Sequence, residues 1–85
     1  MRLTDLIEER LRKAFAPAAL TIEDESEKHR GHAGFREGGE SHFRVYIKAD
    51  AFAEMPRLQR HRAVHTALGE PVMTRLHALA LTIES

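Results

Sequence analysis

The first apolar pattern in the chain is helical. In "LTDLIEERLRKAF", Leu3, Leu6, Ile7, Leu11 and Phe15 recur at helical spacing with charged residues largely between them, which predicts an amphipathic helix. Thr4 is placed to cap it. Glu8 and Glu9 fall early and Arg12 and Lys13 late, as the helix dipole favours, and Pro17 ends the element. The period then changes to two. "ALTIEDE" sets Leu20 and Ile22 against Thr21 and Glu23, and "HFRVYIKAD" sets Phe43, Val45 and Ile47 against Arg44, Tyr46 and Lys48, so both predict half-buried strands. A short helical turn fits Ala51–Glu54. Helical spacing returns in "PRLQRHRAVHTALG" through Leu58, His61, Val64, His65, Ala67 and Leu68, with Pro56 at its start and Gly69 and Pro71 marking its stop. "RLHALALTIE" predicts a third strand, Leu79, Leu81 and Ile83 alternating with Ala78, Ala80 and Thr82.

Helix, strand, strand, helix, strand pack most economically as one sheet covered by helices on one face, an α+β fold of two layers. The 85 residues suit one domain with one modest core, so residues 1–85 are read as a single unit. Hydrophobic residues make up 42% and charged residues 31%, the balance of an ordinary globular chain. Thirteen basic residues offset thirteen acidic ones, which argues against non-specific nucleic-acid binding as the main role while leaving room for a local basic patch. With no cysteine, the chain has neither disulfides nor a thiol nucleophile, and any metal must be held through nitrogen or oxygen. No run is long enough to span a bilayer and no apolar signal segment follows the N-terminus, so a cytoplasmic location is expected.

Candidate chemistry is concentrated between the first two strands. Asp24 to Phe43, "DESEKHRGHAGFREGGESHF", places three histidines and four glycines in twenty residues. His29 and His32 flank Arg30 and Gly31 in this loop. His42 precedes the strand residue Phe43 and should point to the opposite, wetter face. His61 lies on the apolar stripe of the second helix, four residues from His65; the pair could share a metal, but no HExxH pattern or third ligand accompanies it, and a half-buried core position suits His61 better. His77 opens the last strand in phase with Leu79 and Leu81, at the edge of the core. A strand start and a loop could together supply two nitrogen ligands, too few for a closed metal site.

Two nucleic-acid patterns are weaker. "GHAG", Gly31 to Gly34, satisfies the short GxxG pattern of KH domains but lies between strands rather than helices. "RHR", Arg60 to Arg62, with Arg57 one turn earlier, does not make one basic stripe, since consecutive helical residues are about 100° apart. Arg57 and Arg60 could face a phosphate backbone together. There is no GxSxG, no phosphate-binding GxxxxGK[ST] loop and no fixed nucleophile–base pair, so an enzyme is the least supported class.

"DES" followed by loop histidines, then "SHFRVYI", "RHRAVHTAL" and "LHALAL", resembles the BolA family in order and spacing over nearly the whole chain. The resemblance implies a KH-like (class II-like) α-β-β-α-β fold, in agreement with the element order. It also implies a monothiol glutaredoxin as partner, with a bridging 2Fe-2S cluster shared between the two proteins and glutathione, and no cluster in the isolated chain. On this resemblance His77 and a loop histidine are the metal ligands: His32, which Gly31 frees to swing, or alternatively His29. An imidazole must be neutral to bind metal, so acidification should weaken such a complex. "GEPVM" departs from the family in placing Pro71 where the helix usually continues. Some bacterial relatives of this kind are associated with DNA binding, cell shape and stress responses; here Arg57, Arg60 and Arg62 would carry that role. Alone, the chain is expected to be a monomer or weak homodimer.

Overall fold

In the computed structural model, residues 2–25 and 42–85 are described. Helix α1 (Leu3–Phe15) leads into β1 (Ala19–Asp24) and β2 (His42–Lys48); a 3-10 turn over Asp50–Phe52 precedes α2 (Arg57–Leu68), α3 (Glu70–Met73) and β3 (Ala78–Glu84). The three strands form one sheet in the order β1-β2-β3. β1 and β2 are antiparallel, with Ala19 opposite Lys48 and Asp24 opposite Phe43. β3 runs parallel to β2, with His42 opposite Ala78 and Lys48 opposite Glu84. Parallel neighbours need a crossover, which α2 and α3 supply.

The alternation in β2 decides where the core lies. Phe43, Val45 and Ile47 are buried beneath Leu3, Ile7 and Leu11 of α1, Val64 and Leu68 of α2, and Val72 of α3. Arg44 and Lys48 point to the other, open face. Phe52 is fully buried, and its ring lies 4.7 Å from that of Phe15, closing the core at the end of α1. The chain folds as the expected α+β arrangement, with the short turn close to Ala51–Glu54.

Several local expectations are corrected. Thr4 does not cap α1: Arg2 holds the cap position, because helical geometry from Leu3 onward is what buries Leu3. The apolar stripe of α2 does not include Leu58, which is 62% exposed. Six residues separate Leu58 from Val64, which puts it about 120° round the helix axis from the buried face. Gly69 and Pro71 end α2, but they also begin α3, a turn that the residue pattern did not predict. Pro71 sits in its first turn, where a missing N–H leaves nothing unpaired.

Candidate functional site

The sheet topology brings the stems of the 26–41 segment and the start of β3 to one end of the sheet. β1 leaves the sheet at Asp24 and β2 enters at His42, and the two stems are joined by the Glu25 N–H donating to the His42 carbonyl at 2.7 Å. The Arg44 guanidinium also reaches the Glu25 carboxylate at 3.3 Å. Because β3 is parallel to β2 and Ala78 lies opposite His42, His77 arrives at the same end. The rings of His42 and His77 are 5.1 Å apart between centroids and tilted by 51°.

The two histidines reverse the expected environments. His42 has the expected phase, opposite to Phe43, yet it is only 5% exposed, the buried polar side chain of the described residues. Strand alternation tells which face a residue occupies but not what covers that face. His77 lies one residue before β3 and is exposed rather than seated at the core edge, the half-buried contact being made by Leu76. The site therefore presents an accessible imidazole backed by a buried one. His32 and His29 lie outside the described residues. Among the described residues, no group of three or more His, Asp or Glu side chains is arranged to hold a metal ion. Among the described residues, this end of the sheet brings His77 and His42 together without a closed ligand set.

The arginines of α2 fall into two places. Arg57 and Arg60 line one groove with His61, whereas Arg62 is exposed outside it. The groove, about 510 Å³, runs between α2 and β3, with Leu81 and Ile83 along its floor. Arg60 is held by its Nε donating to the Met55 carbonyl at 2.8 Å, and the His61 Nδ1–H donates to the Arg57 carbonyl at 3.0 Å. His61 is half-buried, as expected, and His65 is exposed; no third His, Asp or Glu among the described residues joins them in a group that could hold a metal ion. The residue pattern did not single out exposed Leu58 or the outer edge of β3 as part of a surface. The absence of any charged residue from Ala78 to Ile83 was the available signal.

On the open face of the sheet, the Tyr46 hydroxyl donates to the Glu84 carboxylate at 2.9 Å. That hydrogen bond, together with desolvation and the nearby negative charge, raises the phenol above its ordinary value. No helix among the described residues is long and apolar enough to cross a membrane.

Fold and site define a small two-layer α+β domain that presents side chains at a sheet end and along a strand edge. The chain belongs to the BolA family: residues 11–85 match the family described as BolA-like protein. It is 48% identical over 82 residues to a Sinorhizobium protein, uncharacterized and named for its position in the cobS 5′ region, covering 95% of this chain and 88% of that one. It is 43% identical over 81 residues to the DNA-binding transcriptional regulator BolA of Escherichia coli (strain K12), covering 95% of this chain and 73% of the relative. The solved structure of BolA1 from Arabidopsis thaliana superposes with a TM-score of 0.80 at 38% identity, covering 95% of this chain and 88% of that one.

Proposed function

We propose that this chain is a non-enzymatic, cytoplasmic partner of a monothiol glutaredoxin that contributes histidine ligands to a shared 2Fe-2S cluster and so takes part in iron–sulfur trafficking. The observation that supports this reading most is the exposed His77 imidazole beside buried His42 at the sheet end where the 26–41 segment attaches. The donor chemistry fits half of such a site. The chain has imidazoles and no thiol, which suits it to the nitrogen half; in this reading the glutaredoxin cysteine and glutathione supply the thiolates, as the family resemblance implies.

His77 is the first ligand in this reading and His32 the second, with His29 as the alternative. Chain length permits either. Two strand spacings, ~10 Å, separate β1 from β3. His29 is four residues beyond Glu25, and four extended residues span ~14 Å, with His32 farther along still. Packing of His42 against the His77 ring restricts its rotation, which lowers the entropy lost when the imidazole is captured. When bound, the cluster supplies electron-transfer chemistry, and histidine ligation raises its reduction potential relative to all-cysteine ligation.

The test is titration of the chain into cluster-loaded monothiol glutaredoxin with glutathione, followed by visible circular dichroism. A new spectrum that saturates at equal stoichiometry, is lost in His77→Ala and weakens in either His32→Ala or His29→Ala is expected. An unchanged glutaredoxin spectrum with the wild-type chain rejects the reading.

A DNA-binding regulatory role is the second reading. It is favoured by the relative named as a DNA-binding transcriptional regulator at 43% identity and by the adjacent Arg57 and Arg60. Exposed Arg62 would add a phosphate contact from another side of α2. Binding of this kind must weaken steeply with salt as phosphate contacts release counterions, and a flat salt dependence excludes it.

A further inference from the structure

We propose that the groove between α2 and β3 takes an extended acidic segment of a partner protein, which adds as a strand to the free edge of β3 and sets its carboxylates against Arg57 and Arg60. This surface runs along β3, beyond the sheet end that carries His77.

The edge is the first observation. β3 is the last strand of the sheet, and nothing among the described residues pairs with its outer side. The Ala49 N–H donates to the Glu84 carbonyl, and Lys48 lies opposite Glu84. In a parallel ladder that arrangement turns both polar backbone groups of Glu84 towards β2, and by alternation those of Thr82 and Ala80 as well. Leu79, Leu81 and Ile83 therefore direct their N–H and C=O groups outward. Native edges are commonly guarded by lysine, proline or a bulge. From Ala78 to Ile83 there is no charge and no proline, and the register with β2 is unbroken.

The second observation is the chemistry of the facing wall. α2 contains three arginines and two histidines and no acidic residue. Arg57 makes no ion pair among the described residues, and Arg60 is pre-positioned by its bond to the Met55 carbonyl. Leu58, 62% exposed, stands on the rim beside Arg57 and His61. A strand lying here meets three kinds of contact at once: a row of backbone partners, the Leu81 and Ile83 side chains, and two guanidinium groups. This is recognition by strand addition, with affinity from the main chain and selectivity from the side chains.

Other occupants fit less well. A second copy paired edge to edge through a two-fold axis would bring two α2 helices alongside each other, opposing Arg57 and Arg60 with their own copies. A phosphate backbone would meet the arginines but leave the outward β3 amides and the apolar floor unsatisfied. An acidic strand uses all three.

The experiment uses the isotope-labelled full chain and, as probe, a short acetylated peptide of alternating Val and Glu. Amide exchange and chemical shifts are read by NMR. Protection of the Leu79, Leu81 and Ile83 amides is expected, with affinity falling as salt rises and about tenfold lower in Arg57→Glu. An N-methylated version of the peptide, unable to pair with an edge, should not bind. The proposal is overturned if the three amides do not respond to the peptide, if a Val/Lys peptide or the N-methylated peptide binds equally well, or if duplex DNA occupies the groove in preference to the acidic peptide. Protection of these amides that grows with protein concentration alone would assign the edge to a second copy and also overturn it.

Discussion

Replacement of Gly69 by alanine is expected to destabilise the domain by about 2 kcal/mol, and the terms can be worked out separately. Gly69 ends α2 and begins α3 with φ 79° and ψ 167°. That backbone region is essentially restricted to glycine, and holding another residue there costs roughly 1–3 kcal/mol. A Cβ at this position would also lie 2.9 Å from Nη1 of Arg10. This same Nη1 donates to the Leu68 carbonyl at 3.0 Å, satisfying the end of α2. Displacing it removes a hydrogen bond worth about 1 kcal/mol. Against these, alanine restricts the unfolded chain and returns roughly 0.4–1 kcal/mol. A net loss near 2 kcal/mol lowers the melting temperature by about 8–16 °C in a domain of this size. Urea unfolding followed by far-ultraviolet circular dichroism measures it directly. Arg10→Ala separates the contributions, since Gly69→Ala in that background should show only the backbone part. Stability of Gly69→Ala within about 0.5 kcal/mol of wild type, the range of neutral surface changes, would refute the reasoning. The position bears on the candidate site because Gly69 turns the chain so that Val72 enters the core before the connection runs on to His77.

Tyr46 is the single tyrosine, so tyrosinate absorbance reports it alone, and its midpoint is expected above the ordinary value of 10.0 and to fall in Glu84→Gln. With the folded value raised, the stabilisation is fully present below the unfolded value and is lost as pH rises through the folded one. Wild-type stability should therefore decline towards that of Tyr46→Phe only in alkaline solution, and convergence at neutral pH would contradict the assignment. Leu58→Ala should change stability by no more than about 0.5 kcal/mol, whereas Leu68→Ala, fully buried on the same helix, should cost about 2–5 kcal/mol in the same urea assay.

The large features of the fold were legible because each had its own period. The stripe of α1 and the alternation of β2 required one buried face apiece, and Leu3, Ile7, Leu11, Phe43, Val45 and Ile47 occupy it. α2 was legible as a helix but not in its orientation. Its polar residues surround the axis, and only tertiary packing selects Val64 and Leu68 over Leu58. α3 escaped because four residues carry no period, and the Gly69–Pro71 signal for a stop is also the signal for a new start. Of the candidate site, the place of His77 at the start of the last strand was legible from the strand pattern, but its exposure was not. Burial of His42 was not, since it depends on two strand starts meeting at one end of a parallel pair. His29 and His32 lie outside the described residues.

The two proposed surfaces meet along one strand. His77 enters β3, while Leu81 and Ile83 form the groove floor four and six residues farther on, which at the rise of a strand is ~13–20 Å. A segment paired beside Leu79, Leu81 and Ile83 would therefore run towards or away from the exposed imidazole, depending on its direction. If one partner occupied both places, groove contacts would raise its effective concentration at His77 without contributing a ligand. The effects of substitutions then separate. Loss at Arg57 would weaken the proposed assembly and leave the saturated spectrum of the proposed cluster unchanged, whereas loss at His77 would alter that spectrum even with assembly driven by high concentration. Two independent partners would instead leave glutaredoxin affinity indifferent to Arg57, so this single comparison distinguishes a shared docking strand from two unrelated surfaces.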